Sequence, residues 1–376
     1  MPPNRKGEEM KTRAALLYEY KEPLVIDEIS LEPPREKEVL IQYRAAGLCH
    51  TDLSVREGVL RNPPLPCVLG HEGAGIVQEV GPGVTRVSPG DHVLLMWVPV
   101  CGQCYYCLRS QYHLCVDRDK TRSGRMLDGT ARLRKGDREV QSMLGVGSFS
   151  EYNVVSEQSV LPIDRNIPFD VAAVLGCAVV TGIGAVFNRA RIPAGSRVAV
   201  VGVGGVGLNV VQGAALANAT QIIAVDRLQN KLELARQLGA THLIDATRED
   251  AVARVKELTD GMGVDYAFEA IGRAETITMS YQFLRRGGTV VLVGIPDAEA
   301  RFSLPLQEIV LLEKSILGCY YGSGDMRIGL KTLLDLYKSG RLKAEPMISR
   351  RYPLDEINLG LADLDSGRNV RGVILY

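Results

Sequence analysis

The chain is predicted to be an α/β protein in which a β-rich domain precedes a doubly wound parallel sheet. Its 376 residues exceed one ordinary core of roughly 100–200 residues, so two domains are expected. Its first hundred residues read as short strands broken by proline and glycine. From Asp170 onward, strands alternate with helical stretches, the pattern of βαβ units.

The segment Met1–Lys11 carries Arg5, Lys6, Glu8 and Glu9 without the apolar stretch of a secretory signal, and it reads as a disordered lead-in. Strands follow at Ala15–Tyr18, Val39–Ala45, Gly75–Val80 and His92–Met96, separated by Pro33-Pro34, Pro63-Pro64-Leu65-Pro66 and Gly81-Pro82-Gly83. Asp117–Gln141 is polar with little periodicity and reads as a long functional or structural loop. Helical spacing over Val171–Phe187 leads into strand Arg197–Val201, a glycine-rich turn, a helix to about Asn218 and strand Gln221–Val225. Strands His242–Ile244, Val264–Glu269 and Thr289–Val293 then alternate with helices Lys231–Leu238, Ala251–Leu258 and Ala274–Leu284. The tail reads as helix Met326–Ser339, strand Met347–Tyr352, helix Leu354–Ser366 and strand Val370–Tyr376.

Composition excludes some partners. Lys+Arg and Asp+Glu balance at 44 each, so no excess positive field favours a nucleic acid. The longest apolar runs, such as Val93–Val100, fall short of the roughly 18 residues of a membrane span. Eight cysteines without an export signal point to reduced thiols, a cytoplasmic location and metal ligation in preference to disulfides.

Four of those thiols, Cys101, Cys104, Cys107 and Cys115, fall within 15 residues, enough for one closed tetrahedral zinc site with a structural role. The spacing does not fit the ferredoxin patterns. A nucleic-acid-binding finger is disfavoured, since only His113 lies in the segment and no basic recognition helix follows. Cys49, His71 and Cys177 are far apart in sequence but make up the ligand set of a catalytic zinc with an open fourth position. Read singly, a histidine on a strand end such as His71 is more often structural, and a cysteine in an apolar helix such as Cys177 is more often core. Cys67 and Cys319 are read as ordinary thiols.

Gly202-Val203-Gly204-Gly205-Val206-Gly207 fits G-x-G-x-x-G between a strand and a helix, the setting of a dinucleotide pyrophosphate on a helix N-terminus. Asp226 follows 24 residues after Gly202, at the end of the next strand. A carboxylate there accepts the ribose hydroxyls and opposes a 2′-phosphate, which favours NAD over NADP, with Arg227 softening the preference.

The whole stretch from about Lys11 to Tyr376 resembles the zinc-dependent alcohol dehydrogenases of the medium-chain dehydrogenase/reductase superfamily. The resemblance rests on Gly70-His71-Glu72-Gly73-Ala74-Gly75, continuing through Gly81 to Val84, and on the four-cysteine cluster. Asp128-Gly129-Thr130 through Gly147-Ser148-Phe149-Ser150-Glu151-Tyr152 resembles the long-loop subclass, whose members are typically dimers. The resemblance implies a discontinuous GroES-like catalytic domain (1–178 and 322–376) with a Rossmann domain inserted (179–321). It implies two zinc ions per chain, NAD, and a homodimer, with a homotetramer as the alternative.

By the same resemblance Cys49, His71 and Cys177 hold the catalytic zinc, and Glu72 is the acidic neighbour that approaches it. Asp52 orients the ligand histidine. Thr51 takes the alcohol proton, and His50 and Arg371 contact cofactor phosphate. Lys231 meets the adenosine ribose, Ile271 and Val293 join the cofactor site with Gly205 and Val206, and Trp97, Met143 and Ile295 line the substrate pocket. Ser54 stands where the liver-type enzymes carry a relay histidine. The implied reaction is reversible oxidation of primary alcohols, aromatic or longer-chain ones among them, to aldehydes. The C-terminal segment, Leu304-Pro305-Leu306-Gln307 to Gly372-Val373-Ile374, looks closer to bacterial relatives that act on such alcohols, some of which hold their nicotinamide tightly and use an artificial acceptor. The alternatives are a thiol-dependent formaldehyde dehydrogenase, with Arg118 near its anion-binding position, and a non-catalytic NAD-binding redox sensor.

Overall fold

The computed structural model describes residues 9–376. Residues 1–8 of the expected lead-in lie outside them, while Met10 and Lys11 already belong to the first strand, Met10–Leu17. Exposed Lys11 and Arg13 alternate with buried Thr12 at the strand's start, and Ala14–Leu17 are then buried on both faces.

The chain divides into two compact units, Met1–Cys177 with Ile348–Tyr376, and Ala178–Met347. The return to the first unit falls at Ile348 instead of 322, because helix Met326–Lys338 packs on the helical segment Val180–Gly184 of the second unit.

In the first unit Met10–Leu17, Val25–Leu31, Leu133–Lys135, Arg138–Ser142 and Cys67–Val68 close into a small barrel. Leu16, Leu17, Ile29, Leu31, Val68 and Phe149 fill it. A second sheet runs Val160–Pro162, His92–Leu95, Glu72–Val80, Glu38–Gly47, Arg371–Leu375, Ile348–Pro353, with Tyr152–Ser156 also pairing Glu38–Gly47. The polar Asp117–Gln141 segment is not the loop expected. It holds helix Asp117–Arg122 and a hairpin turning at Gly136, φ +58°, whose strands complete the barrel.

The second unit is an all-parallel sheet in the order His242–Asp245, Gln221–Asp226, Arg197–Val201, Val264–Glu269, Leu284–Leu292, Ser315–Gly318. Numbered along the chain this is 3-2-1-4-5-6, the doubly wound order that places a nucleotide at the crevice beside strand 1. Valine and isoleucine dominate strands covered on both faces, including Val198, Val200, Ile222 and Ile223.

Phe169–Ala190 is the one helix among the described residues long and apolar enough to cross a membrane, but nine-tenths of its most apolar window is buried inside the protein. Thr181, Gly182 and Gly184 interrupt its hydrophobic residues, so no unbroken apolar run of that length marks it in the sequence. It is a core helix, with π turns at Leu175–Val179 and Ala185–Ala190.

Candidate active site and nucleotide pocket

Cys49 leaves strand Glu38–Gly47 and caps helix His50–Arg56, its N–H donating to Asp52 Oδ2 at 2.9 Å. His71 follows Gly70, whose φ of +86° turns the chain into strand Glu72–Val80. A Cβ at Gly70 would lie 2.6 Å from the Phe149 ring, at Gly73 2.7 Å from the Tyr43 ring, and at Gly75 2.1 Å from the Gln42 carbonyl. The glycines of Gly70–Gly75 are therefore packing requirements that let the strand lie flat against its neighbour. Cys177 projects from the π turn Leu175–Val179, a helix irregularity common at functional sites. Gly176 permits it, since a Cβ there would sit 2.7 Å from the Leu95 carbonyl.

These elements bring one donor each from Cys49, His71, Glu72 and Cys177 within 4.8 Å of one another, all buried. His71 Nε2 lies 3.5 Å from Cys177 Sγ. Its Nδ1 lies 3.2 Å from Asp52 Oδ1, which also accepts the Gly70 N–H at 3.2 Å. Asp52, with no exposed surface, thus fixes both the ring and the turn that carries it. The Cys177 thiol and the His71 ring draw the Cys49 thiol well below its ordinary range, while hydrogen bonding to Cys49 and burial push Cys177 up. Burial works against charge on His71, and Asp52 and Cys49 overcome it. Two soft sulfurs, an oriented imidazole and shared protons between them are the donor chemistry that zinc satisfies.

Glu72 forms a buried ion pair with Arg371, brought alongside by strand Arg371–Leu375, where Gly372 accepts the Leu48 N–H at 2.9 Å. Burial pushes the Glu72 carboxyl up to about 7 against the pull of Arg371. The guanidinium, opposed by burial, is held above its ordinary range by Glu72. The cofactor-phosphate role implied for Arg371 did not foresee this carboxylate contact. Thr51 Oγ1 stands 3.7 Å from Cys49 Sγ, and the Trp97 ring meets the His71 ring edge-on at 6.1 Å. His50 is exposed and Ser54 half-buried. Met143, expected in the substrate pocket, packs in the barrel core beside Leu69 and Phe149, where its apolar side chain fills space.

Cys101, Cys104, Cys107 and Cys115 also converge within 4.8 Å. The N–H groups of Cys107 and Val116 pull the Cys104 thiol down to about 6, and Cys101 N–H donates to Cys115 Sγ at 3.3 Å. Donors aimed at sulfur fit thiolates held for a closed site. All eight cysteines are free thiols.

In the second unit Gly202 has φ +84°, and a Cβ at Gly207 would stand 1.9 Å from the Gly202 carbonyl, so both must be glycine. Gly204 caps helix Gly205–Leu216 with nothing within 4 Å of its missing side chain, leaving the helix start and Val206 open to a phosphate. Asp226 accepts the N–H groups of Val203 at 2.9 Å, Arg227 at 2.7 Å and Leu228 at 3.1 Å. A pocket of about 370 Å³ opens there, lined by Val201, Asp226, Arg227, Thr247, Ile271 and Met279 among others. Lys231 lies in the first turn of helix Gln229–Gln237 nearby in sequence. Val293 is buried behind strand Leu284–Leu292, and Ile295 is 57% exposed.

The alcohol dehydrogenase GroES-like domain family matches residues 35–165, and the zinc-binding dehydrogenase family matches residues 205–339. The chain belongs to the zinc-dependent alcohol dehydrogenases of the medium-chain dehydrogenase/reductase superfamily. This dehydrogenase is 41% identical to the NDMA-dependent alcohol dehydrogenase of Amycolatopsis methanolica over 98% of its own length and 99% of the relative's. It is 37% identical to S-(hydroxymethyl)glutathione dehydrogenase of Paracoccus denitrificans, over 98% and 100% of the two chains. Among solved structures it is similar to benzyl alcohol dehydrogenase of Acinetobacter calcoaceticus, with a TM-score of 0.92, 32% identity and coverage of 97% and 99%. The residues that family reasoning left unnamed in this dehydrogenase are Gly47 and Glu269. A charged residue ending the apolar strand Val264–Glu269 was the available signal for the second.

Proposed function

We propose that this dehydrogenase is NAD-dependent, binds two zinc ions per chain, and oxidises primary alcohols, aromatic or longer-chain, reversibly to aldehydes. The observation that carries the reading is the buried convergence of Cys49, His71 and Cys177, with Asp52 behind the imidazole and the Glu72–Arg371 pair beside it. The catalytic role falls to the discontinuous unit and the dinucleotide to the other, where the open Gly204 cradle and Asp226 support it. Cys49, His71 and Cys177 would hold a zinc ion, which would supply Lewis acidity toward an alcohol oxygen, and a bound nicotinamide would supply the hydride acceptor. Thr51, half-buried beside Cys49, takes the hydroxyl proton and passes it outward toward exposed His50, with Ser54 as the other exit. Cys101, Cys104, Cys107 and Cys115 hold the second ion in a purely structural role.

Eight free thiols support a cytoplasmic location. The outer edge of strand Ser315–Gly318 pairs with no other strand among the described residues, and Leu306, Val310 and Leu311 beside it in sequence are exposed. Both support a homodimer.

The relative from Amycolatopsis methanolica favours a second reading of the cofactor, in which the nicotinamide stays bound and an artificial acceptor completes turnover. The Paracoccus denitrificans relative favours a second substrate, the thiol adduct of formaldehyde. One experiment addresses all three: zinc per chain by elemental analysis, nucleotide released on heating, and turnover of benzyl alcohol against a hydroxymethyl-thiol adduct, with NAD or NDMA. Two zinc ions and faster turnover of benzyl alcohol with added NAD are expected. A single zinc, or preference for the adduct, overturns the reading.

A further inference from the structure

The fourth strand of the second unit ends in a carboxylate with no exposed surface, Glu269. Its Oε1 accepts the Ile271 N–H at 3.0 Å, the Gly272 N–H at 2.8 Å and the Thr276 hydroxyl at 2.7 Å, and Oε2 shares the Gly272 N–H at 3.1 Å. The Glu269 carbonyl accepts the N–H groups of Val293 at 2.8 Å and Gly294 at 3.0 Å. One residue therefore ties together two turns that the sequence leaves 20 residues apart.

Those turns close on the phosphate-binding glycines. A Cβ at Gly202 would lie 2.4 Å from Ile271 Cγ1, so the Ile271 side chain sits directly over the glycine turn. Gly272 has φ +87°, and a Cβ there would meet the Ile295 carbonyl oxygen at 2.6 Å. A Cβ at Gly294 would meet the Gly272 nitrogen at 2.3 Å. The turns at 202, 271–272 and 294–295 are thus in mutual contact around Glu269, and Ile271 and Thr276 also line the pocket of about 370 Å³. Burial pushes the Glu269 carboxyl above its ordinary range, against the pull of its hydrogen bonds from Thr276, Gly272 and Ile271. An apolar side chain would take away the acceptor of the buried Gly272 N–H and of the Ile271 N–H, while the Thr276 hydroxyl would keep the Arg273 carbonyl at 2.9 Å.

We propose that Glu269 is a positioning residue for the dinucleotide, holding Ile271 over the glycine turn and in the wall of the pocket beside Asp226 that would take the adenosine end. The proposal rests on the NAD reading above. Glu269→Gln keeps the shape but turns an amide N–H₂ toward backbone donors, and Glu269→Asp keeps the charge at shorter reach.

The test is NADH affinity, by fluorescence titration of the full-length zinc-loaded protein, together with kcat at saturating NAD. For Glu269→Gln the dissociation constant should rise about tenfold or more, the loss of a hydrogen bond to a charged group. Its kcat should stay within about threefold of wild type, since the effect lies in binding. Glu269→Asp should recover part of the affinity. Should Glu269→Gln not fold, Thr276→Val, which removes one donor at the pocket's edge, must weaken NADH on its own. An unchanged dissociation constant in the folded variant, or a loss that Glu269→Asp does not lessen, overturns the proposal. Wild-type protein that binds no NADH overturns the NAD reading instead.

Discussion

Gly47 lies opposite Glu72 in the sheet register, and a Cβ on it would stand 2.1 Å from Glu72 Oε2. The glycine leaves the carboxylate room to meet Arg371. Gly47→Ala is expected to displace Glu72 and weaken that buried pair, costing about 1–3 kcal/mol of stability from overpacking. It should also lower turnover more than its effect on melting explains, which paired melting and kinetic measurements check. His92, by contrast, lies away from the metal ligands, its ring centroid 4.7 Å from that of Phe169. Burial, then Arg165 and Arg44, lower its pKa below 6.5, against a smaller opposing effect of Asp91. The unfolded chain therefore takes up the proton first as pH falls through about 6.5, and stability is lost on acidification until the folded-state pKa is passed. His92→Gln should show a smaller fall in melting temperature between pH 7.5 and 5.5 than the wild type, read by calorimetry. Identical falls would mean that His92 titrates alike in both states.

The Cys101–Cys115 lobe is a short element whose own apolar contacts are few, Val100, Cys107, Cys115 and Tyr112 among them. On the two-zinc proposal its stability comes largely from the metal. Cys104→Ala is expected to lose one zinc and lower the melting temperature while leaving the remaining zinc and the Cys49 thiol environment in place. Cys177→Ala should abolish turnover with the melting temperature little changed. Elemental analysis, melting and activity on both variants decide, and equal loss of both metals in Cys104→Ala would contradict independent sites. This lobe was legible because four thiols in 15 residues have few other uses. The βαβ strands were legible as well, since Arg197–Val201 and Val264–Glu269 are bounded by turns and carry the apolar residues Val198–Val201 and Ala267–Phe268. The hairpin Leu133–Lys135 with Arg138–Ser142 was not, because Arg132, Arg134, Lys135, Arg138 and Glu139 supply charge where alternation would show. Arg132 is buried only because Glu38, distant in sequence, receives it. Glu269 was marked only as a charge at a strand's end, and its partners, backbone N–H groups of two turns, leave no residue pattern.

At the scale of the molecule, the second unit ends its sheet on an open strand, Ser315–Gly318, preceded by helix Leu306–Leu311 with Val310 74% exposed. An open parallel edge beside exposed leucines invites pairing with another copy. Val310→Glu is expected to shift the protein toward monomer in light scattering, with each unit's fold retained by circular dichroism. Unchanged mass would place the contact between copies elsewhere.

Glu72 and its counter-charge Arg371 are 299 residues apart, and the whole second unit is made between them. While the polypeptide is being synthesised, Cys49, His71 and Glu72 emerge early, and the strand that neutralises Glu72 arrives after residue 348. An N-terminal folding unit completed at that stage would bury a carboxylate with no partner. The centre around Cys49 is therefore expected to assemble only after residue 348 has emerged. Ribosomes stalled before residue 348 should carry nascent chains with the Cys101–Cys115 lobe competent for zinc and the Cys49 centre still unassembled.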